Sequence, residues 1–199
     1  MTDLIGPGAF VAVTGASGVG KDALLSYARE HSGDFAVFPR RTITRPPGPG
    51  EDHHPVTEEQ FAAARERGAF AVSWQAHGLC YGIQVSADAG IRDGRVVVVN
   101  VSRGVIDELA RRYRRLVVVR VTVPEEVRAQ RLRARRREPE AGIGQRLARP
   151  DPAPGRRADA VIENDGSLAE GGARLVRVIR DAAPVTCPGR YPSWAERSR

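Results

Sequence analysis

Residues 10–25 read FVAVTGASGVGKDALL, and the order of residue types in this stretch decides the fold. Phe10 to Thr14 form a short apolar run leading straight into glycines, as a strand buried on both faces of a parallel sheet does. From Lys21 onward, Ala23, Leu24, Leu25, Tyr27 and Ala28 continue at helical spacing to about His31. Strand, glycine loop and helix thus follow one another, and Gly15, Gly20 and Lys21 match a phosphate-binding loop of the form G-x-x-x-x-G-K-[ST]. Gly15, Ala16, Ser17, Gly18, Val19, Gly20 and Lys21 are expected to cradle nucleotide phosphates. Their backbone N–H groups and the positive end of the following helix would face the anion. The last position departs from the pattern, because Asp22 stands where a hydroxyl would hold Mg²⁺. A carboxylate also suits the first turn of any helix. Beside a polyanion, however, it repels the phosphates unless a cation intervenes. Mg²⁺ takes a carboxylate together with phosphate oxygens, so Asp22 is expected on the metal side, directly or through water.

The charge distribution favours the same loop. The chain carries 31 Lys plus Arg against 24 Asp plus Glu, a net charge of +7, and Lys21 is its only lysine. The single ammonium falls where a compact point charge meets the β- and γ-phosphates. A basic chain also suits nucleic acid, but residues 131–149 carry no aromatic side chain for stacking on bases. No nucleic-acid partner is expected, and a pair of anionic small substrates explains the charge equally well. With 199 residues, 41% of them apolar, one globular domain is expected. No apolar run approaches the roughly 18 residues of a membrane helix, and the start of the chain lacks signal-peptide regions. A cytoplasmic protein without a membrane partner is the expectation. Cys80 and Cys187 lie far apart without C-x-x-C spacing, which argues against a zinc site and a disulfide framework.

The strand-helix alternation recurs. RVVVVNV (95–101) precedes a helix near 103–113, and RLVVVRVTV (115–123) precedes a helix from Pro124 to about Arg137. ADAVIEN (158–164) precedes an amphipathic helix from about Ser167 to Ala182. The expected class is α/β, with a mainly parallel central sheet covered on both faces. Residues 39–57 and 138–157, rich in Pro, Gly and Arg, read as loops or excursions on the substrate edge. The domain is expected to span 1–183; the tail 184–199, with three prolines and little periodicity, is expected to be poorly ordered.

Two arginine-rich segments carry the remaining chemistry. In RRTITRPPGPGEDHH (40–54), Arg41 and Arg45 lie on an extended segment after the first helix. A guanidinium fork pairs two oxygens of a phosphate at once, so this segment is expected to hold a phosphate acceptor. In RLRARRREPEAGIGQRLAR (131–149), Arg135 and Arg146 would sit on a lid and neutralise the transferring phosphoryl group.

T-x-T-R-P-x-x-x-G-E (Thr42 to Glu51), Tyr81-Gly82, Arg135, Arg146 and Asn164-Asp165 together resemble the guanylate-kinase group of P-loop kinases, over about residues 10–181. The resemblance implies the three-layer P-loop fold, an acceptor-binding segment at about 34–83 and a lid at about 135–157. It also implies Tyr81 at the acceptor, Asn164 on the adenine side, and Lys21, Arg135 and Arg146 as catalytic groups. The positions that read guanine depart: Arg41, Ser73 and Ser102 stand where that group has Ser, Glu and Asp. Glu and Asp accept hydrogen bonds from the guanine edge and Arg cannot. The same departures resemble the ribose 1,5-bisphosphate phosphokinases within the group. The residues that carry this are Lys21-Asp22, Thr44-Arg45-Pro46, His54, Thr57-Glu58 with Phe61, Ser73-Trp74, Gly78-Leu79, Tyr81-Gly82, Asn100, Ser102-Arg103 and Asn164 to Leu168. Cys80 stands where a tyrosine is expected. This resemblance implies ATP and Mg²⁺, a phosphorylated sugar as acceptor, and 5-phosphoribosyl 1-diphosphate as product. Arg41, Arg45 and Tyr81 would bind the acceptor, with His54 and Arg103 as further candidates, and Asp22 would face the metal. Guanylate kinase and a non-catalytic binding module are the rival readings, and a homodimer is left open.

Overall fold

The structure, a computed structural model, describes residues 3–48, 51–134 and 157–185. The expected lid, with Arg135 and Arg146, and nearly all of the tail lie outside these residues.

β1 (Ala9–Thr14) is buried along its whole length, which is why its sequence is apolar at every step rather than alternating. It is the middle strand of a five-stranded sheet of order β2-β7-β1-β8-β9, in which every pairing is parallel. The others are β2 (Ala36–Val37), β7 (Val96–Asn100), β8 (Leu116–Thr122) and β9 (Ala160–Glu163). Register sets Val13 opposite Asn100 and Thr14 opposite Arg120, so the three central strands end together beneath the phosphate loop.

Each face of the sheet is covered. On one, Val11, Val13, Val96, Val98, Val119 and Val121 meet Leu24 and Ala28 of α1 (Lys21–His31) and Leu175, Val176 and Ile179 of α6 (Leu168–Ala182). α6 starts at Ser167, whose hydroxyl accepts from the Glu170 amide while Glu170 reaches back to the Ser167 N–H, a capping box. On the other face, Phe10, Ala12, Val97 and Val99 meet Ile91 of α3 (Ala87–Arg92) and Ile106 and Leu109 of α4 (Ile106–Arg112). The expected helix at 103–113 divides here into a 3-10 turn, Arg103–Val105, and α4. The expected helix from Pro124 is α5 (Glu125–Ala134), with the Pro124 carbonyl accepting from the Arg128 N–H.

A second sheet of order β4-β3-β6-β5 covers that second face further out, through Val72 and Ile83. It comprises β3 (Arg41–Ile43), β4 (His53–Pro55), β5 (Phe70–Ala76) and β6 (Leu79–Gln84). Part of the segment read as loop at 39–57 is therefore strand. α2 (Glu58–Glu66), capped by Thr57, buries Phe61 against Phe70 of this sheet, rings 4.6 Å apart. Among the described residues no helix is long and apolar enough to cross a membrane.

Candidate active site

The phosphate loop runs from the end of β1 to the start of α1 with Gly15, Gly18 and Gly20 at φ +145°, +90° and +91°. Side-chain-bearing residues rarely adopt such values. Two of the glycines are also needed for space. A Cβ on Gly15 would lie 2.5 Å from the Val121 carbonyl oxygen, and one on Gly20 would lie 2.5 Å from Asn164 Nδ2. That Asn164 amide donates to the Val19 carbonyl at 2.8 Å, so the residue read as adenine-side fixes the loop from behind. Lys21 folds back over its own loop, its ammonium donating to the Gly15 and Ala16 carbonyls at 2.8 and 2.9 Å.

Two arginines of α5 brace the same loop. Arg128 Nε donates to the Ser17 carbonyl at 3.0 Å, and Arg131 reaches the carbonyls of Val19 (3.4 Å) and Asn164 (2.9 Å). With these carbonyls turned toward α5, the loop's N–H groups are left to face a phosphate.

The second sheet brings the acceptor candidates to this loop. Arg41 Nη2 lies 3.9 Å from Asp22 Oδ1, and Asn100 Nδ2 donates to that oxygen at 3.2 Å. The Arg41 guanidinium stands 5.9 Å from the centre of the Tyr81 ring, and Tyr81 stacks on Trp74 at 5.4 Å with the rings nearly parallel. Pairing makes this one face: Ile43 is opposite Tyr81, and Tyr81 is opposite Trp74. Burial is the largest influence on Arg41 and weakens its hold on its proton; Asp22 opposes it most, followed by Tyr81 and Glu51. Arg45 is held by Glu51 at 2.7 Å, and its own carbonyl meets His53 Nε2 at 3.0 Å.

Not every expected residue joins the group. His54 pairs with Thr42, which puts it on the opposite face from Arg41 and Tyr81, where it is exposed. Its neighbour His53, paired with Arg41, is the buried one. The resemblance singles out His54, whereas the register places His53 on the face that carries Arg41. Arg103 sits on the turn after β7, where burial first and the charge of Arg120 second lower its proton affinity.

A family model described as an AAA domain matches residues 11–148. The ribose 1,5-bisphosphate phosphokinase PhnN of Pseudofrankia inefficax is 75% identical over 183 residues, which is 92% of this chain and 96% of that one. The chain belongs to the ribose 1,5-bisphosphate phosphokinase PhnN family. The relative of the same name from Acidiphilium cryptum is 45% identical, across 90% of this chain and 97% of its own. In fold, the chain is similar to guanylate kinase from Anaplasma phagocytophilum: TM-score 0.65 at 19% identity, covering 93% of this chain and 91% of that one.

The glycine positions make a direct test of the loop in this PhnN family member. Gly20→Ala forces a Cβ into Asn164 and strains a backbone at φ +91°. The strain, about 1–3 kcal/mol, is relieved when the free loop relaxes away from this shape, so binding a phosphate must restore it. Nucleotide affinity is expected to fall about tenfold or more, read by nucleotide titration. An unchanged affinity would mean that the loop does not need this shape.

Proposed function

We propose that the chain transfers the γ-phosphoryl group of ATP to the 1-phosphate of ribose 1,5-bisphosphate, giving 5-phosphoribosyl 1-diphosphate and ADP. The observation that carries this reading is Arg41. A largely buried guanidinium stands beside the phosphate loop where guanylate kinases carry a serine, while the two acidic acceptors that read guanine are replaced by Ser73 and Ser102. That is a site for a second phosphate and not for a base. The family's printed name supports the same acceptor.

The chemistry asks little covalent work of the protein. A phosphate monoester, with a second pKa near 6, is largely dianionic at neutral pH. Its oxygen attacks the γ-phosphorus as the bond from that phosphorus to the β-bridging oxygen breaks, and no proton need be removed. What the residues supply is alignment and positive charge. Gly15 to Gly20 grip the phosphates by their N–H groups. Lys21 leaves its loop carbonyls for the β- and γ-oxygens, and Arg41, Arg45 and Tyr81 hold the acceptor within the segment 34–83. Arg135 and Arg146, outside the described residues, are assigned to the lid that closes on the transferring group. Asp22 suits magnesium: its carboxylate is 39% exposed at the mouth of the loop, with its contacts to described residues on Oδ1. Asp22 would hold the bound magnesium, which would offset the negative charge of the nucleotide phosphates.

The test is ADP release from ATP and Mg²⁺ with GMP, AMP, ribose 5-phosphate or ribose 1,5-bisphosphate as acceptor. Turnover is expected with ribose 1,5-bisphosphate above the others. Turnover of GMP alone would make the chain a guanylate kinase, and silence with all four would favour a binding module.

A further inference from the structure

Asp22 and Arg41 belong to different parts of the fold, and their charges meet. Asp22 is the second residue of α1, directly after the phosphate loop; Arg41 opens β3 on the acceptor sheet. Among the described residues, the carboxylate's two contacts fall on one oxygen, with Arg41 Nη2 at 3.9 Å and Asn100 Nδ2 at 3.2 Å. Asn100 is well fixed. It is the last residue of buried β7 and pairs with Val13 on the strand that feeds the loop. Asn100 therefore anchors Asp22 to the central sheet, and Arg41 reaches across from the second sheet to the same point.

Neither partner is indifferent to the contact. The Arg41 side chain is 20% exposed, so water compensates its charge poorly, and Asp22 is the anion that does so most. A guanidinium that faces a carboxylate has less attraction left for a phosphate. The same carboxylate, however, is the group at the mouth of the loop suited to a nucleotide-borne cation. It cannot give its full charge to both.

We propose that Asp22 couples the two substrates: it holds Arg41 in the free enzyme and yields it to the acceptor phosphate once a cation-bearing nucleotide occupies the loop. The proposal rests on the kinase reading above and deepens it. As Asp22 turns its charge toward the loop, Arg41 loses its counter-ion while still buried. The acceptor phosphate then becomes the anion that satisfies it. Coupling of this kind is reciprocal, so the acceptor must tighten the nucleotide by the same factor. The device would favour binding of the acceptor to a loop already charged with nucleotide, when the transfer can proceed.

The test is calorimetric titration of the full chain with ribose 1,5-bisphosphate, with and without Mg²⁺ and a non-hydrolysable ATP analogue. The parent protein is expected to bind the sugar bisphosphate about 5- to 150-fold more tightly with the analogue present. Asp22→Asn keeps the side chain's size and removes its charge. It is expected to bind the acceptor without nucleotide as tightly as the parent does with it, and the analogue should then add nothing. Arg41→Gln is expected to bind the acceptor weakly in both conditions. If Asp22→Asn binds the acceptor more weakly than the parent in the absence of nucleotide, or keeps the coupling, the proposal is wrong. Binding to the parent without any effect of the analogue would overturn the coupling and leave the kinase reading standing. Failure of ribose 1,5-bisphosphate to bind the parent under either condition would overturn both.

Discussion

Lys21→Ala is expected to lower kcat with ribose 1,5-bisphosphate by about 10³-fold while the protein still folds and still binds nucleotide. The ammonium now donates to the Gly15 and Ala16 carbonyls, and that arrangement keeps it within the loop and ready to swing to a phosphate oxygen. Its bonds to these carbonyls are partly solvated, so their loss is a modest cost to stability. The loop keeps its shape by other means: glycines at positive φ, Asn164 on the Val19 carbonyl, and Arg128 on the Ser17 carbonyl. Backbone N–H groups therefore still grip the phosphates of Lys21→Ala. What is lost is the compact positive charge where negative charge moves during transfer. Lys21→Arg is expected to recover little, because a planar guanidinium is wider than an ammonium and the loop leaves space for a point charge. Steady-state kinetics, with circular dichroism as the control for folding, decide it. A kcat within about tenfold of the parent, less than one transition-state contact of this type contributes, would remove Lys21 from the transition state.

What sequence could reveal about this site follows the distance over which each feature is set. β1, the loop and α1 are legible because each is local: an all-apolar run, glycines where the backbone must turn, and helical spacing after Lys21. The core of the parallel sheet is legible for the same reason, since β7 and β8 are valine-rich runs, β7 buried at every residue and β8 at most of them. The second sheet is not. β3 and β4 are three residues each, too short to show a period, and they exist because β6 lies alongside β3 to pair with it. Arg41 is recognisable as a phosphate-seeking cation, but its meeting with Asp22 depends on how that sheet sits over the loop. Arg128 and Arg131 have nothing local to distinguish them within an arginine-rich run. They brace the loop because β8 delivers α5 next to the end of β1.

Asp88→Ala is the substitution expected to cost the most stability, and nothing in the stretch SADAGIR around it announces this. Asp88 is fully buried, with Tyr113 Oη donating to it at 2.7 Å, Arg112 Nε at 3.3 Å, and Arg92 at 3.9 Å. The group ties α3 to the end of α4, and Tyr113 carries the tie to the central strand by stacking on Phe10 at 4.9 Å. Burial, then the hydrogen bond to Asp88, push the Tyr113 phenol well above its usual pKa, so it remains a donor. Removing one member of a buried charge pair leaves the other uncompensated, at about 3–5 kcal/mol. Arg112 is 30% exposed, so water recovers part of that and the lower end, about 3 kcal/mol, is expected. For a domain of this size that is a fall in Tm of about 6–12 °C, measurable by differential scanning calorimetry. Asp88→Asn keeps the volume and an acceptor for Tyr113, so its fall should be smaller. The cluster lies toward the opposite end of the sheet from the phosphate loop, since Ile91 of α3 accepts from Gly8, just ahead of β1. At temperatures where Asp88→Ala is still folded, kcat should therefore match the parent. A loss of kcat without a fall in Tm would mean that this buried acid serves the site and not the fold.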